Sequence, residues 1–188
     1  MRTLAVTQNI TLDGSVEMLD DWFEPQGADG VDESDIIAEV RRQDRNADAL
    51  ILGRRTFVDM RAYWPRQRGS DTTGVSEYLD RVAKFVVTST LTDAAWRRTE
   101  LVREDPIAFA RRIKAMPGKD IVVTGSIRLC HALIAAGLVD EYRLFAYPVV
   151  QGRGRRLFPE GYRFDGLRAL EATVFRSGIV YSRYAART

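Results

Sequence analysis

Cysteine is nearly missing from this chain. Cys130 stands alone among 188 residues, which excludes an intramolecular disulfide and a cysteine-based metal cluster, and makes a reducing cytoplasm the expected location. Histidine is equally scarce. His131 is the only one, so no histidine pair can ligate a metal, and a Ser-His-Asp triad would have to recruit a residue from the body of an expected helix. No apolar run approaches the roughly 20 residues of a membrane-spanning helix. The opening MRTLAVTQNITLDG turns polar after Val6, without the apolar core of a signal peptide. No membrane partner is therefore expected. Lysine is confined to Lys84, Lys114 and Lys119, and the other basic residues are arginine. The net charge of +2 comes from 28 basic residues interleaved with 26 acidic ones, with no basic tract of the kind that grips nucleic acid. What these absences leave open is a small-molecule partner.

What the chain does contain is an alternation of short buried runs with amphipathic segments. Residues 3–10 read as a strand, and Asp13-Gly14 as a turn. Residues 20–32 form a turn-rich acidic loop, a candidate lid. A helix follows from a cap at Asp32 or Ser34 to about Arg45, with Ile36, Ile37, Val40 and Ala38 as its apolar stripe. Ala49–Leu52 and Phe85–Val87 are continuous apolar runs, the mark of strands buried on both faces. A helix begins after Gly53, and another spans 75–81. Arg98 to Val102 reads as a short strand, and Asp105-Pro106 opens a helix that Pro117-Gly118 ends. Then come a strand at 120–124, a helix at 127–136 stopped by Gly137, and strands at 141–149, 167–176 and 178–185. Strands alternate with helices to residue 150, and strands alone follow. The expectation is a single α/β domain over residues 1–188, with a mainly parallel central sheet, helices on both faces and an antiparallel C-terminal hairpin.

Three of the strands end in small or polar turns: Gly53-Arg54-Arg55-Thr56, Thr88-Ser89 and Gly125-Ser126. In an open parallel sheet ligands sit outside the carboxyl ends of the strands, so all three turns would share one edge. At two of them a helix starts, and its first free N–H groups suit an anion. Arg54 and Arg55 add planar forks for a phosphate and Thr56 a hydroxyl. A basic pair at a helix start opposes the helix dipole, a cost that a bound anion relieves. A plain strand-to-helix connection and solvated arginines remain the alternative. Neither G-x-G-x-x-G after a strand nor G-x-x-x-x-G-K-[ST] occurs. The segment 152-GRGRR-156 reads as a solvated loop or a phosphate contact. Cys130 reads as a small packing residue, and Trp22, Trp64 and Trp96 as aromatics that line a planar ligand or cover a core edge.

The segments 10-ITLDG-14, 50-LILGRRTF-57, 85-FVVTSTL-91 and 122-VVTGSIRLCHALIAAGLVDEYRLFAYPVVQGRGRRLF-158 together resemble the dihydrofolate-reductase-like family. The closest branch is that of the C-terminal reductase domain of the bifunctional riboflavin-biosynthesis deaminase-reductase. The resemblance spans nearly the whole chain and implies an NADPH-dependent reductase. By position, Gly53, Arg54, Arg55 and Thr56 would hold the adenosine side with its 2′-phosphate, flanked by Thr88 and Ser89. Gly125, Ser126 and Ile127 would receive the pyrophosphate. Asp13 and Gly14 would border the nicotinamide and the substrate, with Asp13 as the acid, and Gly152 and Gly154 would lie nearby. Two positions depart from dihydrofolate reductases. Gly125-Ser126 stands for their Gly-Gly, and their pterin-binding acid falls near Ile37, with Asp35 and Glu33 only nearby. A pteridine-like or ribosylaminopyrimidine-like substrate and a twofold homodimer are expected. The rival reading is a non-catalytic nucleotide-binding or interaction module that retains the fold.

Overall fold

The computed structural model describes residues 1–24 and 30–186. Eight strands form one sheet: β1 (Leu4–Thr11), β2 (Ala47–Gly53), β3 (Ala83–Val87), β4 (Thr99–Val102), β5 (Asp120–Val123), β6 (Glu141–Tyr147), β7 (Leu167–Val174) and β8 (Val180–Ala186). Their order is β4-β3-β2-β5-β1-β6-β8-β7. Every pairing from β4 to β6 is parallel, and β8 and β7 add the antiparallel edge. The hairpin between β7 and β8 turns at 175–179, with Gly178 at φ +83°. The architecture is the mainly parallel sheet with an antiparallel C-terminal hairpin that the sequence implies.

Side-chain parity sorts the core into two layers. On one face Leu4, Val6, Ala49, Ile51, Ile121 and Val123 pack against α4 (Pro106–Ala115) and α5 (Ile127–Ala135). On the other, Leu50, Leu52, Val86 and Val122 meet Phe57 of α2 (Arg54–Tyr63) and Tyr78 and Leu79 of α3 (Val75–Arg81). Both faces of β2 are thus covered, as its unbroken apolar run demands. A third cluster on the same side as α2 joins Phe145, Phe175, Ile179 and Tyr181 to Ile36 and Val40 of α1 (Ser34–Asn46).

α1 differs from its expected pattern. Glu33 is its N-cap residue, and Asp32 instead accepts a hydrogen bond from the Ser34 N–H. Ala38 is exposed, and the helix buries Glu39 and Gln43. These two polar residues are satisfied by each other and by the sheet. Gln43 Nε2 donates to Glu39 Oε1 at 2.7 Å and to the Tyr181 hydroxyl at 3.3 Å, while Arg42 clasps Glu39 through two bonds and reaches Glu171 at 2.9 Å. The helix docks by the apolar contacts of Ile36 and Val40 from the expected stripe together with these hydrogen bonds. α4 follows the sequence closely: Asp105 caps it by accepting from the Ile107 and Ala108 N–H groups, with Pro106 at the first turn.

Strand register positions the site. β1 pairs with β5 only from Leu4 to Val6, and with β6 from Ala5 to Thr11. The carboxyl half of β1 therefore has a strand neighbour on one side only, and a cleft opens where β5 ends.

Candidate functional site

The two glycine turns at the ends of β2 and β5 interlock. The Gly53 N–H donates to the Gly125 carbonyl at 3.2 Å. A Cβ on Gly53 would lie 2.1 Å from Ser126 Oγ, and one on Gly125 would lie 2.7 Å from Thr56 Oγ1. Gly125 also sits at φ +133°, and its peptide bond to Ser126 is cis. Neither position has room for a side chain of its own, because the Ser126 side chain fills the place over Gly53 and the Thr56 side chain that over Gly125. α2 starts at Arg54 beside it and α5 at Ile127. Among the described residues no side chain caps either start, which leaves the first N–H groups of both helices free toward the same crevice.

One strand further out, the end of β3 borders a cavity of about 380 Å³ whose walls include Arg54, Thr88, Ser89 and Arg103. Arg54 and Arg55 are exposed. Thr88 is buried and occupied: its hydroxyl accepts from the Thr90 and Leu91 N–H groups at 3.2 and 3.0 Å, fixing the turn. Ser89 is exposed at the rim. Arg103, which no sequence pattern singles out, donates to the Thr88 carbonyl at 2.8 Å and to the Leu91 carbonyl. It pins this loop and brings a further positive charge to the cavity.

Asp13 lies at the other end of the crevice, and its geometry is that of an anchor. Its carboxylate accepts from the Thr11 hydroxyl at 2.6 Å, the Gln151 N–H at 3.1 Å and the Gly152 N–H at 2.8 Å. These donors hold its pKa down at about 2, the Thr11 hydroxyl first. A carboxyl so placed carries no proton at neutral pH, and the acid role expected for Asp13 does not fit. Its work is to tie the 11–17 turn to the 149–156 loop. Other ties agree: Leu12 N–H to the Val149 carbonyl, Val16 N–H to the Arg155 carbonyl, and Arg156 Nη1 to the Asp13 carbonyl. Gly14, at φ +87°, passes close beneath Arg156, and a Cβ at Gly154 would meet Ser15 Oγ at 2.5 Å. The 152-GRGRR-156 segment is thus an exposed loop tied to β1's end by hydrogen bonds, and His131 steadies it through Nε2 and the Arg156 carbonyl at 2.9 Å. Cys130 is buried and its thiol is pushed up to about 12 by burial, which suits packing.

A second cavity, of about 110 Å³, lies between α1 and the carboxyl ends of β1 and β6. Ile36, Ile37, Val40 and Phe145 supply apolar walls, and Asn9, Glu24, Glu33, Thr73 and Tyr147 are its polar lining residues. Burial raises the Glu33 carboxyl above its ordinary range, and the nearby charges of Asp35 and Glu24 add to the rise. Asp35 is committed elsewhere, accepting from the Ile36 and Arg176 N–H groups. Trp22 stacks edge-on to Tyr147 at 5.2 Å and so backs this cavity. Trp96 is core, and Trp64 packs against the same cluster. The expected lid at 20–32 is described at 20–24 and 30–32, where Phe23 and Glu24 line the cavity; residues 25–29 lie outside the described residues.

The profile of the RibD C-terminal domain family matches residues 2–181. Two Bacillus subtilis proteins, both uncharacterised, are similar in sequence. YyaP is 30% identical over 137 residues, 73% of each chain. YwjB is 29% identical over 148 residues, 79% of this chain and 74% of its own. Among solved structures, a protein from Shewanella sp. PV-4 named for riboflavin biosynthesis superposes with a TM-score of 0.72 at 18% identity over 99% of both chains. A pyrimidine reductase-like protein from Corynebacterium diphtheriae superposes with a TM-score of 0.62 at 15% identity, over 100% of this chain and 92% of its own. At those identities the likeness is one of fold. No helix among the described residues is long and apolar enough to cross a membrane.

Proposed function

The chain belongs to the RibD C-terminal domain family, and we propose that within it this protein is an NADPH-dependent reductase of a small pteridine-like or ribosylaminopyrimidine-like substrate. The observation that carries the reading is the interlocked pair of turns at Gly53 and Gly125-Ser126, where two uncapped helix starts face one crevice and only the small side chains of Ser126 and Thr56 sit over the two glycines. A dinucleotide laid across it would set its pyrophosphate on the free N–H groups at Ser126 and Ile127. Its adenosine end would enter the cavity beside Thr88 and Ser89. There Arg54 and Arg55 would pair with a 2′-phosphate, helped by Gly53 and Thr56, whose compact packing lets the chain approach closely. Gly14 would border the nicotinamide, where a side chain would crowd both the ring and Arg156.

Bound there, the nicotinamide supplies the hydride. The chain's own residues do the rest. Asp13 holds the 149–156 loop against the end of β1, Tyr147 and Phe145 exclude water from the cavity under α1, and Glu33 holds a proton next to that cavity more readily than an exposed carboxyl would. A twofold dimer belongs to the same reading, supported by β7, an outer strand whose Arg168, Ala169, Thr173 and Val174 are exposed. Light scattering at twice the chain mass would support it, and a single-chain mass would remove it.

The test of the reductase reading is a paired titration of NADPH and NADH. Wild-type protein should bind NADPH more tightly by a factor of about ten or more, the worth of a charge-assisted pair. The doubly substituted Arg54→Ala, Arg55→Ala protein should lose that preference while keeping its affinity for NADH. Loss of both cofactors in parallel would refute the 2′-phosphate role.

A further inference from the structure

Resting on the reductase reading, we propose that His131 is a positioning residue. Through the Arg156 carbonyl it fixes where the Asp13-Gly14 turn, and with it the nicotinamide, stands relative to the pyrophosphate seat at the start of α5. The chain's only histidine lies on that same helix, five residues beyond Ser126 and so about 7.5 Å further along the axis. Leu129, Cys130, Leu133 and Ile134 are buried in the core beneath α5, which stops the helix from turning and fixes the direction of the half-buried His131. Its Nε2 stands 2.9 Å from the Arg156 carbonyl oxygen. A carbonyl only accepts, so Nε2 carries the proton and donates.

The other polar contacts of the 151–156 loop run to the very segment that has to be positioned. Gln151 and Gly152 donate to Asp13, Arg153 pairs with Asp20 at 2.7 Å, Arg155 pairs with Glu17, and the Val16 N–H donates to the Arg155 carbonyl at 3.0 Å. These contacts lock two exposed segments to each other without setting where the pair stands. Leu157, buried in the core, holds the end of the loop. Among the described residues, His131 makes the only hydrogen bond from 151–156 to a helix. Arg156 passes the constraint on. Its carbonyl receives His131, while its Nη1 donates to the Asp13 carbonyl at 2.7 Å and lies 3.0 Å from where a Cβ on Gly14 would stand. One rigid helix therefore seats the pyrophosphate at its first turn and, about one and a half turns later, pins the turn that borders the nicotinamide. Both ends of that half of the ligand are gauged by one body, and a transfer reaction is sensitive to displacements of about 1 Å.

The test compares wild type, His131→Leu and His131→Gln as full chains. Leucine keeps the bulk and loses the donor, whereas glutamine puts a donor nitrogen near the place of Nε2. Hydrogen exchange over residues 149–157 in the ligand-free protein should rise about two- to tenfold in His131→Leu, the worth of one hydrogen bond, and return close to wild type in His131→Gln. Each protein is then titrated with NADP⁺ and with 2′-phosphoadenosine diphosphoribose, which lacks the nicotinamide. His131→Leu should weaken NADP⁺ by a comparable factor and leave the fragment unchanged, which also shows that the variant is folded with its helix start intact. His131→Gln should restore NADP⁺ affinity. The proposal is overturned if His131→Leu exchanges or binds NADP⁺ as wild type does, if glutamine fails to restore either, or if dinucleotide and fragment weaken alike. A wild-type chain that binds neither ligand would instead remove the reductase reading, and the nicotinamide role with it, an outcome distinct from an unaffected variant of a protein that binds both.

Discussion

Replacing Gly53 by alanine probes the interlocked turns with a single methyl group. The added Cβ would stand 2.1 Å from Ser126 Oγ, 2.9 Å from its Cβ and 3.1 Å from its backbone nitrogen. No rotation of one side chain clears all three, so the end of β2 and the start of α5 must move apart. Overpacking of this kind costs about 1–3 kcal/mol, and for a chain of this size that lowers Tm by roughly 2–12 °C. The same displacement parts the two helix starts, so affinity for NADPH should fall with stability. Ser126→Gly in the Gly53→Ala background removes the two closest contacts and leaves the 3.1 Å approach to backbone. It should restore most of the lost Tm and part of the affinity, although Ser126→Gly alone costs only a few tenths of a kcal/mol at a helix N-cap. The two substitutions must therefore be strongly non-additive in a double-mutant cycle. Thermal unfolding followed by circular dichroism, paired with cofactor titration, reads both effects. A Gly53→Ala protein that melts with wild type and binds NADPH normally, or a cycle with additive losses, would refute the interlock.

Other expectations follow from the same contacts. The Asp13 carboxyl is depressed from 3.8 to about 2 by its donors, so the stability it contributes is complete above pH 3.8 and disappears as pH falls toward 2. Melting curves of wild type and Asp13→Asn should accordingly differ at pH 7 and converge on acidification; a constant offset would show that the carboxylate charge is not what ties the two loops. Lys114 is buried, with Nζ donating to the Leu138 carbonyl at 2.8 Å and to Asp140 at 2.6 Å, while Asp140 also accepts from the Leu4 N–H. Lys114→Met should cost about 1–3 kcal/mol in a denaturant titration by leaving acceptors unpaired, with NADPH affinity unchanged because the clasp lies at the amino end of β1. A parallel loss of cofactor affinity would contradict that separation.

Much of this was legible in the sequence because the signals were local. The both-face burial of β2 follows from Ala49–Leu52, the start of α4 from Asp105-Pro106, and the three candidate turns from small residues at strand ends. Their convergence on one edge then follows from parallel pairing alone. What escaped depends on partners far along the chain. Glu39 and Gln43 are buried because Tyr181 meets them on β8, and no periodicity in α1 announces that. Asp13 looked like an acid in its own turn; its partners Gln151 and Gly152 come from a loop more than 130 residues away. Arg103 is one arginine among many until the Thr88 and Leu91 carbonyls are seen to receive it. Glu33 lies just outside the first turn of α1, and only the fold brings it to the cavity with Asn9 and Tyr147.

The central claim is that one dinucleotide lies along the edge formed by the ends of β3, β2 and β5. A crystal structure of the chain with NADP⁺ tests it most directly. The account predicts the pyrophosphate at the start of α5 on Ser126 and Ile127, with the 2′-phosphate between Arg54 and Ser89 and the nicotinamide beside Gly14. A dinucleotide bound elsewhere, or reversed so that the nicotinamide enters the cavity beside Thr88, would contradict it.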